Sequence, residues 1–195
     1  MTTIYFVRHA QADNSVRVGR IRPLTPKGLA DRRLVTAYLS DKSIDAVLSS
    51  PFRRAIDTVA EFAKKSGLEI ETVEDFRERK SDSDMRKDHP EFTAFLEHQW
   101  ADFQYTCSDG ESLAQVQLRN LDALNTVLTK HRGQNLVIGT HGTALATILQ
   151  AYDPAFGFAD FMEMLDFLPW IVKMTFDGNA CTGMEKIDLF ASPAK

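Results

Sequence analysis

The apolar positions of this chain follow two rhythms in turn. Short runs rich in β-branched and aromatic residues occupy 3–7, 44–48 and 135–140, with few polar interruptions. Continuous apolar runs of that length suit strands covered on both faces. A weaker strand is predicted over 68–73, where glutamates alternate with apolar residues. Between these runs the spacing becomes helical. Leu29, Leu34, Val35, Tyr38 and Leu39 recur at the 3.6 period, after Thr25 as N-cap and Pro26 at the first helical position. A second helix is predicted over 52–65, closed by Gly67. Phe92, Phe95, Leu96, Gln99, Trp100 and Phe103 share one face of a third. Leu113, Val116, Leu121, Leu124, Val127 and Leu128 line a fourth, expected to start near Ser108 or Asp109 and run to about His131. Helices over 142–150 and 158–167 follow, then strands at 171–176 and 181–189. Asp177-Gly178-Asn179 between those strands is a hairpin signal.

Strands alternating with helices predict an α/β fold, a three-layer α/β/α sandwich on a mainly parallel mixed sheet with an antiparallel closing hairpin. The 195 residues fit a single domain. Within it, about 75–108 shows no strand pattern and is strongly charged up to Pro90, which marks a lid-type insertion. An apolar share of 44% with 26% charged residues places the chain among globular proteins. The apolar runs fall far short of the ~20 residues of a membrane span, and residues 1–9 lack the build of a signal peptide. Cys107 and Cys181 stand far apart without metal-type spacing, so neither a disulfide framework nor a zinc site is expected, and a cytoplasmic protein is. A net charge of −4 argues against general nucleic-acid binding while allowing a local basic pocket. The pattern does not assign an oligomeric state.

Sites in such sheets form beyond the carboxyl ends of strands. His9 follows the first strand and His141 the fourth; Arg8 precedes His9, and Arg54 lies just inside the helix after the second strand. A phosphoryl group suits this set, because guanidinium forks match its oxygens and stay charged at any working pH. The helix beginning at His141-Gly142 adds free backbone N–H groups.

Four segments in order resemble the histidine phosphatase superfamily, the phosphoglycerate mutase-like proteins. Val7-Arg8-His9-Ala10 resembles its Arg-His-Gly signature, and Pro23-Leu24-Thr25-Pro26-Lys27-Gly28 its helix start. Ser49-Ser50-Pro51-Phe52-Arg53-Arg54-Ala55-Ile56-Asp57-Thr58 resembles its "SSPxxRAxxT" segment and places the family arginine at Arg54 rather than Arg53. Val137-Ile138-Gly139-Thr140-His141-Gly142 resembles its strand ending in His-Gly, and Asp109-Gly110-Glu111-Ser112-Leu113 a further family helix start.

The resemblance implies His9 as nucleophile, forming a phosphohistidine, with its other ring N–H held by a carbonyl. It implies Arg8, Arg54 and His141 as ligands of the phosphoryl oxygens, with His141 most useful protonated. Glu78, in Phe76-Arg77-Glu78-Arg79, is the implied general acid, with Asp75, Asp82 and Asp84 as runners-up. Two departures stand out: Ala10 replaces a glycine, and Ser15 sits where the family often has asparagine, with Asn14 one earlier. Asn14, Ser15, Arg22 and Gly142 are the further candidate substrate contacts, and Arg17, Arg20 and Arg22 suggest a basic rim.

The implied function is a metal-independent phosphomonoesterase for a phosphorylated small molecule, without metal or cofactor, nucleic acid or membrane as partner. A phosphoglycerate-type mutase, a protein phosphohistidine phosphatase and an inactive phospholigand-binding module are the alternatives.

Overall fold

Thr2–Arg8 (β1) is the strand around which the other elements assemble, and all but one of its residues are buried. The computed structural model describes residues 1–85 and 87–191. After β1 come α1 (Pro26–Leu39), β2 (Ala46–Ser49), α2 (Arg53–Ser66), β3 (Ile70–Thr72) and a 3-10 turn at Glu74–Phe76. Then follow α3 (Phe92–Ala101), α4 (Leu113–Lys130), β4 (Asn135–Thr140), α5 (Gly142–Tyr152), α6 (Phe158–Met164), β5 (Trp170–Asp177) and β6 (Ala180–Ile187). The six strands form one sheet in the order β3-β2-β4-β1-β5-β6. The first four are parallel, and β5 and β6 join antiparallel beside β1. This is the mixed, mainly parallel sheet that the sequence predicts.

Alternate residues of each strand serve opposite faces. Ile4, Phe6, Leu136, Ile138, Val172 and Met174 pack on one side with residues of α3, α4, α5 and α6. Tyr5, Val7, Val47, Val137 and Ile171 pack on the other with Val35 and Leu39 of α1 and Val59 and Phe62 of α2. Two faces covered by helices give the third layer and explain the uninterrupted apolar runs. Each large side chain so buried contributes about 1.5–3 kcal/mol. Among the described residues no helix is long and apolar enough to cross a membrane.

Several boundaries differ from the sequence expectation, each for a local reason. Leu29 is exposed, and Gly28 takes its place on the inner face of α1. β3 spans only three residues, because it pairs on one side only, with β2, and Leu68 N–H is drawn back to the Ala63 carbonyl at the end of α2. α4 starts at Leu113, not at Ser108 or Asp109. The backbone N–H groups of Cys107 and Ser108 are committed to Asp82, and Ser112 with Gln115 forms a capping box. α6 stops at Met164 because residues 165–167 close by tighter turns. In the hairpin, Gly178 at φ 58° fills the first position of a two-residue loop, a conformation that favours glycine.

Gly28 also fixes the loop after β1. A methyl group there would lie 2.2 Å from the Gln11 carbonyl oxygen, while Thr25 N–H donates to that same oxygen. Gly28→Ala therefore pushes backbone against backbone. We expect a destabilisation of about 1–3 kcal/mol. Thermal unfolding should fall by about 2–4 °C for each kcal/mol, and an unchanged Tm would contradict the contact.

Candidate active site

The sheet register brings the candidate residues together. Arg8 of β1 pairs with Thr140 of β4, so His9 and His141 leave adjacent parallel strands at the same end. His9 N–H donates to the Thr140 carbonyl at 3.1 Å, and Ser50 N–H donates to Gly139 at 2.8 Å from the other side of β4. The two imidazoles meet edge to face with centroids 5.3 Å apart. Phe52 packs on His141 at 5.2 Å, and the Arg54 guanidinium lies over the Phe52 ring at 5.1 Å. Arg8 lies against Gly142: a Cβ on that glycine would be 3.5 Å from Arg8 Nε.

His9, Arg8 and Arg54 are each held by backbone. His9 Nδ1–H donates to the Ala10 carbonyl at 2.7 Å. Ala10 is fully buried, and its N–H donates to Thr58 Oγ1, which in turn donates to the Arg54 carbonyl. Arg54 Nη1 donates to Gly19 O at 2.7 Å. Arg8 Nη1 donates to the carbonyls of Met164 and Phe167 at the end of α6. Arg8 Nε and His141 Nδ1 are buried without a partner among the described residues. Arg53 stays on the exposed side with Asp57 at 3.3 Å, whereas Arg54 is turned inward.

The electrostatics follow from burial of like charges. Desolvation lowers Arg8 and Arg54 to about 10, which leaves both cationic at neutral pH, and Glu78 acts against the shift in each. His9 keeps partial solvent access although it lies deep in the fold. Burial, then Arg54 and Arg8, hold its ring well below the ordinary imidazole range. His141 is fully buried, and burial followed by Arg54 and His9 holds it low as well. The surroundings of His141 thus favour its neutral form, whereas the resemblance implies a protonated ring. Beside two guanidiniums, in a dry site, an additional cation is unfavourable.

Glu78 sits at the amino end of α5. Its carboxylate accepts N–H from Thr143 at 3.3 Å, Ala144 at 3.2 Å and Arg79 at 2.8 Å. It lines a cavity of about 710 Å³ together with Asn14, Arg17, Arg22, Arg79 and Thr143. Lys87, Phe92 and Leu96, from the segment expected as an insertion, line the cavity as well. Of the other acid candidates, Asp84 is exposed and outside the cavity lining, and the remaining two are otherwise engaged. Asp75 pairs with Arg77 at 2.8 Å, and Asp82, though it borders the cavity, accepts N–H from Cys107 and Ser108 and O–H from Ser108. Ser15 is not brought to the site: its hydroxyl donates to Asp13 at 2.6 Å on the exposed side. Asn14 reaches the cavity and accepts from Arg22 at 3.3 Å. Arg20 turns away to Glu74 at 2.9 Å, so the basic rim is made by Arg17 and Arg22.

Sequence reasoning missed three groups. Glu111 and Arg119 form a two-bond pair at 2.9 Å, Arg119 also takes the carbonyls of Asp75 and Arg77, and Glu111 exchanges bonds with Lys80. They clamp both sides of Glu78. Arg79 is buried with Nη1 unpartnered, over the Phe95 ring at 5.6 Å. Ser50 Oγ lies 2.7 Å from His141 Nε2. Long-range pairing creates all three; Ser50, Glu111 and Arg79 each sit in a segment quoted above, but only the fold reveals what they touch.

The two low imidazoles make stability depend on pH. Below about 6.5 the unfolded chain binds a proton at each ring and the native chain does not, so acidification favours unfolding. Between about pH 7.5 and about pH 5.5 the loss should be on the order of 1 kcal/mol per ring. Urea unfolding in phosphate-free buffer tests this. His141→Gln should remove about half of the two-ring loss, and a wild-type stability flat over the range would contradict the electrostatics.

The profile of the histidine phosphatase superfamily (branch 1) matches residues 4–163. The chain is 30% identical over 163 residues to the metal-independent phosphoserine phosphatase of Arabidopsis thaliana, covering 76% of this chain and 67% of that one. It is 28% identical over 159 residues to phosphoserine phosphatase 1 of Hydrogenobacter thermophilus, covering 72% and 71%. The solved phosphoserine phosphatase of Entamoeba histolytica, in complex with 3-phosphoglyceric acid, superposes with a TM-score of 0.74 at 18% identity over 98% of this chain and all of that one. With the profile spanning most of its length and carrying Arg8-His9, Arg54 and His141-Gly142, the chain belongs to the histidine phosphatase superfamily, branch 1.

Proposed function

We propose that this protein is a phosphatase that hydrolyses small phosphomonoesters through a phosphohistidine at His9. The observation that carries the reading is the Nδ1–H bond of His9 to the Ala10 carbonyl at 2.7 Å. A carbonyl only accepts, so the proton resides on Nδ1 and Nε2 keeps its lone pair for phosphorus. Burial beside Arg54 and Arg8 keeps that ring neutral, so the nucleophile is ready at any pH near neutrality. Arg8, Arg54 and the N–H of Gly142, the first residue of α5, would take the phosphoryl oxygens. Fixed donors of this kind stabilise the charge that builds in the transition state. Glu78, bonded to the N–H groups of Thr143 and Ala144 and close enough to act on both arginines, would return a proton to the leaving oxygen and activate the water that frees His9.

The cavity supports a substrate with a second anionic group. Arg79 offers an unused buried donor, and Arg17, Arg22 and Lys87 add positive charge to its walls. Relatives named phosphoserine phosphatase fit a carboxylate in that place. Segment 75–108 would serve as the cover that selects it, since it supplies Glu78, Arg79, Lys87 and Phe92.

Hydrolysis of p-nitrophenyl phosphate and phosphoserine in excess chelator tests the reading. His9→Ala should abolish both activities and the acid-labile phosphoprotein. Glu78→Gln should slow phosphoserine by about 10²–10⁴-fold and the nitrophenyl ester much less, because nitrophenolate leaves without a proton. Equal losses on both esters would remove Glu78 from the proton path. Arg79→Met should raise KM for phosphoserine by about tenfold while sparing the nitrophenyl ester, the difference expected of one charge-assisted bond. An equal rise on both would place the second anion elsewhere.

A further inference from the structure

Ser50 has no role in the reaction so far described, yet it is fully buried against the ring of His141. Its Oγ accepts the N–H of Phe52 at 3.2 Å and lies 2.7 Å from His141 Nε2. The other ring nitrogen, Nδ1, is buried with no partner among the described residues.

The two neutral tautomers of His141 differ in how many polar groups they strand. With the proton on Nε2, Ser50 Oγ accepts twice, from Phe52 and from the ring. Its own hydroxyl proton then has no acceptor, and the bare Nδ1 has no donor, so two groups are stranded. With the proton on Nδ1, the Ser50 hydroxyl donates to bare Nε2 while Oγ accepts from Phe52. Only Nδ1–H remains open. Leaving a buried polar group unpaired is costly, so the second arrangement is favoured.

The open donor has a destination. Nδ1 is the ring nitrogen nearer the backbone, and the next residue, Gly142, begins α5 and lies beside Arg8. Arg8 Nε, likewise a buried donor without a partner among the described residues, is 3.5 Å from where a Gly142 Cβ would be. Two unused donors thus flank one helix start. A tetrahedral oxyanion satisfies both; a neutral ligand with one acceptor does not.

We propose that Ser50 is a positioning residue that fixes His141 as the Nδ1–H tautomer, so that the ring serves a bound phosphoryl oxygen as a neutral hydrogen-bond donor. The inference rests on the phosphatase reading for its consequence, while the tautomer itself is defined without substrate. It also separates the two histidines by role. Both carry the proton on Nδ1, but the Nδ1–H of His9 is spent on a carbonyl and that of His141 is kept for the ligand. No cation is added to a site already holding Arg8 and Arg54.

Long-range ¹H–¹⁵N correlation spectra of histidine-labelled full-length protein, without phosphate, test the proposal. The five histidine rings are distinguished by recording His141→Gln alongside the wild type. The expected wild-type result is a neutral His141 with protonated Nδ1 and bare Nε2. Ser50→Ala should shift the ring toward Nε2–H and lower kcat for monoester hydrolysis by about tenfold or more, with KM less affected. A wild-type ring protonated on Nε2, or on both nitrogens at neutral pH, overturns the proposal even if Ser50→Ala fails to fold. So does a folded Ser50→Ala protein whose His141 spectrum is unchanged. A protein that shows the Nδ1–H tautomer yet forms no phosphoprotein and hydrolyses no monoester overturns the phosphatase reading and leaves the tautomer assignment standing.

Discussion

Two buried guanidiniums set the terms for everything around them. Neither Arg8 nor Arg54 has a carboxylate directly on its nitrogens among the described residues. They are held instead by main-chain carbonyls: Met164 and Phe167 for Arg8, Gly19 for Arg54. Carbonyl dipoles offset part of the desolvation cost without neutralising the charge, so an unspent positive field remains at the end of the sheet. Glu78 counters it from the wall of the cavity, and both arginines respond to that carboxylate. A field of this sign is suited to a dianion.

That field decides the state of the imidazoles. In water a histidine is half charged near neutrality; beside these arginines and out of solvent, both rings are held neutral. A neutral ring is a nucleophile or a hydrogen-bond donor according to where its single proton resides, so the neighbours of each ring determine its chemistry. Ala10 O and Ser50 Oγ are those neighbours. The residue after His9 serves here through its carbonyl and its N–H bond to Thr58, which explains why alanine replaces glycine without disturbing the arrangement.

Glu78 and the two histidines are held in different ways. His9 and His141 hang from adjacent strands and inherit the rigidity of the ladder. Glu78 lies on a connection with no regular structure, and its position comes from the Glu111–Arg119 pair, which grips the carbonyls of Asp75 and Arg77 and the backbone of Lys80. Half-buried, with two parallel bonds, this pair is of the geometry in which an ion pair contributes measurably. Its carboxylate lies below the ordinary range because the Arg119 and Lys80 bonds outweigh the opposing effect of burial. In the proposed reading a scaffold would fix the nucleophile and a clamp the acid, while cavity-lining side chains such as Arg79 and Phe92 would stand apart from both supports.

The sequence by itself determined the alternation of strands and helices, the two-sided burial of the sheet and the segments that bear Arg8-His9, Arg54 and His141. Those features are local: an apolar run, a period, a cap or a short motif carries its own signal within a few residues. The tertiary structure decided what depends on pairing across the chain. Leu29 faces solvent because Gly28 must meet Gln11, and α4 waits until Leu113 because Asp82 holds the preceding backbone. Ser15 stays outside because Asp13 binds it, whereas Ser50 becomes a partner of His141 because β2 and β4 are neighbours. Above all, the protonation of two histidines reflects charges brought from three separate strand and helix ends. Local spacing cannot report it, because desolvation and Coulomb interaction depend on distance through space, and folding alone sets that distance.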